Sequence, residues 1–240
     1  MMTDFMMTAR RIVSSLLFSA LIPALSPVSM HAQPKPGHLD EVLRQMDAAS
    51  LKFQSAEADF RWDLYERVVK ETTTQTGIIV YFKKEGASTA MGAKVVSPTT
   101  KFIEFKNGLL RLYDPGTDHL TTVDATKNKA QVESFLTVGN GGSGKDLAKA
   151  WTIADLGDEV VDGVQTAKMD LVPKDPEVRK NCTHMTIWVD PVRDIQLKQS
   201  LYMPSGDYRT AVYTNIKYNQ KVDEKAYQIK TDGKTTRDEH

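Results

Sequence analysis

The chain has 240 residues, with 31 basic and 31 acidic side chains and a single cysteine. This balance argues against a nucleic-acid partner, whose phosphates require a basic excess. One cysteine, Cys182, excludes an internal disulfide, and the length makes one domain the default.

Residues 1–32 read as an export signal. Arg10 and Arg11 supply a positive start, and "IVSSLLFSALIPAL" (12–25) an apolar stretch. At 14 residues it is shorter than the ~20 a helical span needs. Ala32 offers a small residue at a cleavage point, so the mature chain is expected to begin at Gln33, soluble and exported; in a two-membrane bacterium that means the periplasm. Removing Arg10, Arg11 and Asp4 leaves 29 basic against 30 acidic residues. One domain is expected over 33–231, followed by a flexible polar tail over 232–240.

After "QPKPG" the spacing of Leu39, Val42, Leu43, Met46, Ala49 and Phe53 predicts a helix with one apolar stripe. His38 stands before it as a solvated helix-start residue. The period then falls to two. "FRWDLYERV" sets Phe60, Trp62, Leu64 and Val68 against Arg61, Asp63, Tyr65 and Arg67, the pattern of a half-buried antiparallel strand. Further strand-like runs continue to residue 124. Asn107-Gly108 marks a tight hairpin, and "DPGTDH" another turn. "TKNKAQVESFLTV" returns to helical spacing, with Val132, Phe135 and Leu136 on one side.

"VGNGGSGKDL" (138–147) nearly matches the phosphate-cradling pattern G-x-x-x-x-G-K-[ST]. Asp146 stands where a hydroxyl must ligate magnesium, and the preceding segment is helical rather than a buried parallel strand. We read it as structural: the glycines reverse the chain and Ser143 caps the helix "KDLAKAW", with Asp146 at the capping-box position. No nucleotide is expected.

Alternation then resumes. Ala167, Met169 and Leu171 share a face, as do Met185, Ile187 and Val189. Ile195, Leu197 and Leu201 follow, and "YRTAVYTNIKYN" aligns Tyr208, Thr210, Val212, Thr214, Ile216 and Tyr218. Long strands at this spacing define a sandwich or barrel. Catalysis needs a constellation, and none is visible. His38, His119 and His184 have no metal-ligand spacing, no Gly-x-Ser-x-Gly or Ser-x-x-Lys falls in a strand-turn-helix context, and Cys182 reads as a small buried residue. Neither a catalytic residue, a metal nor a cofactor is expected, and the chain is not read as an enzyme.

The stretch from Met169 to Ile229 carries a resemblance. Leu171-Val172-Pro173-Lys174, Trp188-Val189-Asp190 and the Asp223–Tyr227 segment come in the order found in the periplasmic outer-membrane lipoprotein carriers, LolA and its LolA-like relatives. "GLLRLYDPGTDHLTTVD" and "FLTVGNGGSGKDLAKAW" resemble that family's hairpin and helix-loop-helix, so nearly the whole mature chain is covered. The resemblance implies a mainly β (α+β) fold: a strongly curved, incompletely closed antiparallel β-barrel, with a few helices as a lid over an apolar cavity. It implies a monomeric periplasmic carrier that shields the acyl chains of lipoproteins or lipid and moves them toward the outer membrane, between an inner-membrane donor and an outer-membrane acceptor. Each buried methylene contributes ~0.8 kcal/mol, so such a carrier needs a hollow rather than a reactive group.

The candidate cavity lining is Leu43, Met46, Trp62, Leu64, Ile79, Tyr81, Leu110, Leu112, Phe135, Leu136, Met169, Leu171, Ile187, Val189, Leu197 and Leu201. The family's Arg-Pro pair after the second strand is absent from "VYFKKEGAS", leaving Lys84 as the lid-contact candidate without Arg's forked geometry. A dry, packed interior would point instead to a lipid-free protein-interaction or sensor domain on the same fold. A cavity with convergent polar groups and a titrating pair would point to an exported enzyme.

Overall fold

The computed structural model describes residues 35–83, 89–126, 132 and 135–239. The expected signal segment, Lys84 and much of the helix expected before the glycine loop lie outside them. Helix α1 spans His38–Ser50 and buries Val42, Met46 and Ala49 along one stripe, as its spacing requires. Six strands follow: β1 (Ser55–Glu66), β2 (Glu71–Lys83), β3 (Thr89–Ser97), β4 (Lys101–Lys106), β5 (Leu109–Asp114) and β6 (His119–Asp124). They form an antiparallel meander. Asn107 and Gly108 both have positive φ, 54° and 82°, so they make the two-residue turn that matches strand twist.

Helix α2 (Gly144–Ala150) opens the second half. Ser143 caps it by accepting from the Asp146 backbone N–H, and in return donates to the Asp146 carboxylate. Strands β7 (Trp151–Val161) and β8 (Val164–Pro173) follow, then the one-turn helix α3 (Pro176–Arg179), β9 (His184–Asp190), β10 (Ile195–Tyr202) and β11 (Tyr208–Tyr218).

The described strands join one 12-stranded sheet. Its order is β12-β6-β5-β4-β3-β2-β1-β11-β10-β9-β8-β7, so β1 and β11 join the two halves at the centre. The sheet is curled but not closed, because its two ends do not pair. Strand β12 (Thr236–Glu239) lies in the segment expected to be a flexible tail. It adds parallel to β6, with Thr236 opposite His119 and Glu239 opposite Thr122.

Side chains directly opposite across a ladder share a face. The register therefore assigns Phe60, Trp62 and Leu64 of β1 to one face with Ala211 and Arg209 of β11, Leu201 of β10, and Ile187 and Met169 beyond. This is the face the helices cover. The core beneath them forms two clusters. One gathers Phe53, Phe60, Ile79, Tyr81, Phe105 and Tyr213. The other gathers Val42 and Met46 of α1 with Leu147, Trp151, Met169, Leu171 and Ile187.

Alternation along β11 is broken. Asn215 has a φ of 52°, and the β1 pairing slips between Glu57 and Asp59. Ala211 and Tyr213 therefore face inward, and Ile216 and Tyr218 pack against the first cluster beyond the break, whereas Val212 pairs with Arg61 on the other face. The single apolar face expected from Tyr208 to Tyr218 is thus divided between the two sides, because one bulge residue reverses the parity of everything after it.

Candidate functional site

The covered face is built from the second strand residue onward. Ala56, Ala58 and Phe60 are buried, and then burial relaxes: Trp62 and Leu64 are only half-buried. The same relaxation runs across the first half of the sheet. Phe105 is fully buried, Ile103 and Leu110 are half-buried, and Leu112 is 38% exposed. Ile103 and Leu112 lie directly opposite each other, as do Phe105 and Leu110. An apolar strip on the covered face is thus left partly open.

The expected lining residues fall into three groups. Met46, Met169, Leu171, Ile187 and Val189 are buried core in the second cluster, with Leu43, Phe135 and Leu201 packed against it. Phe135 meets the Trp151 ring edge-on at 4.9 Å. Ile79 and Tyr81 are buried in the first cluster, with Trp62, Leu110 and Leu136 packed on it. Leu64, Leu112 and Leu197 belong to neither; Leu197 is buried where the β9–β10 register slips. The fold therefore divides thirteen of these residues between two clusters and leaves three outside both.

Two small spaces bounded by described residues lie inside. One of about 20 Å³ sits between Met46, Val138 and Leu147. The other, about 10 Å³, lies among Ala58, Tyr81, Gln196 and Tyr213. Neither could hold more than about one water, which needs roughly 10–15 Å³. A wider depression of about 900 Å³ opens on the opposite face, between Asp59, Arg61, Asp63, Ile78, Val96, Val212 and Thr214.

Polar groups attach the helical cover to the sheet. His38 donates toward Asp155 and Asp158 of β7, 2.7 and 3.0 Å from its two ring nitrogens. The first of these bonds chiefly, with both carboxylate charges, raises the imidazole pKa above its ordinary value. The expectation of a solvated His38 is corrected here: β7 delivers both aspartates from 117 and 120 residues away. Asp47 of α1 also accepts from the Lys145 backbone N–H at the start of α2. Next to that bond, Gly144 lies against the α1 backbone, where a Cβ would run into the Leu43 carbonyl oxygen.

The pattern analysis did not single out one cation of the covered face. Arg209 lies opposite Leu64 on one side and Leu201 on the other. Its guanidinium sits 5.3 Å from the Trp62 ring centroid. The signal existed in "YRTAV", an arginine between strand residues, but the bulge at Asn215 hid which face it takes.

No protein-family model matches the sequence. No curated protein matches it either. Solved structures do. The structure of MucB superposes over 82% of this chain at a TM-score of 0.53 and 12% identity; the chain spans 65% of the MucB chain. The MucA/MucB complex of Pseudomonas aeruginosa gives a TM-score of 0.50 and 15% identity, over 80% of this chain and 61% of that one. A LolA superfamily protein of Nitrosomonas europaea aligns over 80% of this chain and 97% of its own at 12% identity, with a TM-score of 0.40. The fold is the one seen in MucB: a curled, unclosed sheet with helices against one face.

Proposed function

We propose that this chain is an exported, non-enzymatic binding protein that shelters hydrocarbon between its curled sheet and helical cover, as a carrier of lipid or of lipoprotein acyl chains. The observation that carries the reading is the partly open apolar strip through Trp62, Ile103, Leu110 and Leu112 on the covered face. A face that existed only to be core would be expected to bury this strip as it buries Phe105 and Ile187. Acyl chains would lie along it, each methylene gaining ~0.8 kcal/mol on leaving water. Opening of the cover would admit them, with α1 moving against the His38–aspartate contact. Lys84 stands as the lid-contact candidate, and the buried part of the expected lining supplies the wall.

A second reading is favoured by the two small interior spaces, which are too tight for an acyl chain, and by MucB, whose structure is known in complex with MucA. In that reading the domain binds a protein partner, and the depression of about 900 Å³ on the other face offers the contact.

Native mass spectrometry of protein purified after export, combined with uptake of a fluorescent fatty acid by delipidated protein, decides between the two. Co-purified lipid and saturable uptake are expected. A clean apo mass with no uptake would remove the lipid reading and leave the protein-partner one.

A further inference from the structure

Arg209 is out of place on an apolar face. It is half-buried, and its direct neighbours across the two ladders are Leu64 and Leu201. A partly desolvated cation costs free energy unless something compensates it. Among the described residues no carboxylate forms an ion pair with it. Its compensation is the face of Trp62, 5.3 Å from the guanidinium carbon to the ring centroid. A guanidinium carries five N–H groups in a planar fork suited to carboxylate or phosphate oxygens.

Other polar groups lie nearby on the same face. Gln199 is opposite Ala211, the next inward position along β11. Its amide donates to the Tyr213 hydroxyl at 3.4 Å. The positive charge of Arg209 reaches the buried Tyr81 and Tyr213, where it opposes the rise that burial imposes on both phenols. The covered face therefore combines a half-open apolar strip with a cation that, among the described residues, has no carboxylate partner and lies over an indole, the two features an amphiphile with a charged end would occupy.

We propose that Arg209 is the head-group receptor of this face. It takes the anionic end, carboxylate or phosphate, of an amphiphile whose hydrocarbon lies over Trp62. Trp62 positions the guanidinium and forms the first wall met by the chain. The proposal rests on the hydrocarbon-binding reading above and narrows the ligand to anionic lipids.

The test is displacement of a bound fluorescent probe, 11-(dansylamino)undecanoic acid, from the delipidated protein by three single-chain competitors: oleate, 1-oleoyl-lysophosphatidate and neutral monoolein. In the wild type the anionic competitors are expected to bind at least tenfold more tightly than monoolein. Arg209→Gln should lose about tenfold for the anions and nothing for monoolein, and Arg209→Lys should fall between. Preference for oleate alone assigns the site to free fatty acids, and preference for the lysophosphatidate alone to phospholipid phosphates. Either supports the proposal. Equal binding of all three by the wild type, or an equal loss of all three in Arg209→Gln with its thermal melt unchanged, overturns it while leaving the hydrocarbon site intact. The wild-type preference alone remains decisive if Arg209→Gln fails to fold. If neither the probe nor any competitor binds, the hydrocarbon reading fails, and this assignment falls with it.

Discussion

His38 Nδ1 stands 2.7 Å from Asp155 Oδ2, and its other ring nitrogen 3.0 Å from Asp158 Oδ1, so the first residue of α1 is bound on both sides by strand β7. The sheet ends at β7. The contact therefore ties one end of the cover to one edge of the cup. Both partners are acceptors, which fits an imidazolium donating from both nitrogens. Asp40 and Glu41, in the first turn of α1, add to the negative surroundings.

The pH dependence follows from the raised pKa of His38. The folded state holds the proton more tightly than the unfolded chain, whose imidazole titrates at its ordinary value near 6.5. The stabilisation is complete below that value and is lost as pH rises through the higher folded value. Replacing His38 with Gln should cost about 1 kcal/mol at pH 6 and much less at pH 9. Urea unfolding of both proteins across this range measures it. Parallel stability curves would refute the charged clamp.

The close approach of α1 and α2 gives a second expectation. Gly144 faces the Leu43 carbonyl, and a Cβ there collides with backbone, which cannot rotate aside as a side chain can. Gly144→Ala should therefore destabilise by ~1–3 kcal/mol, the range for overpacking, even though alanine is the better helix former. Ser143→Ala, which removes the cap, should cost about 1 kcal/mol. Thermal or chemical melts check both. A neutral Gly144→Ala would mean that the two helices part easily.

Features that depend on neighbouring residues were legible in the sequence. Asn107-Gly108 announced its hairpin, and Ser143 and Asp146 announced their helix start. The alternation of Ala167, Met169 and Leu171 announced a buried face, because each of these signals lies within a few residues. The His38 clamp was not legible, since its partners arrive through the long-range placement of β7. The face of Arg209 was not read for a different reason: parity along β11 reverses at Asn215, and no composition rule marks that bulge. The two-cluster division of the expected lining likewise depends on how the sheet curls.

Cys182 is 2% exposed and donates weakly to the His184 carbonyl at 3.5 Å. Burial first, and the Asp170 charge second, push its thiol pKa up to about 11. Only the thiolate attacks disulfides, so at pH 8 the native protein should react with an aromatic disulfide reagent far more slowly than a model thiol. Adding denaturant should release one full equivalent. Rapid, complete reaction without denaturant would place this thiol at an accessible site.

The outer face has its own cover, built from the segment after β11. The Tyr227 hydroxyl donates to Glu57 Oε2 at 2.8 Å, while Lys217 holds Glu57 Oε1 at 2.7 Å. The Tyr227 side chain packs over Gly92, where an added Cβ would come 2.8 Å from Tyr227 Cβ. These bonds, that from Lys217 first, lower the Glu57 pKa against the opposing effect of burial. The unfolded carboxyl titrates near 4.5, so this contribution is present above that value and disappears as pH falls through the lower folded value. Tyr227→Phe keeps the ring over Gly92 but removes the donor, and should cost about 1 kcal/mol at pH 7, shrinking toward zero at acid pH. Gly92→Ala should destabilise by ~1–3 kcal/mol through steric conflict, with no such pH dependence. Urea unfolding of the two variants at pH 3 and pH 7 separates the electrostatic part of this contact from the packing part. A Tyr227→Phe deficit that stays constant with pH would assign the whole contact to packing.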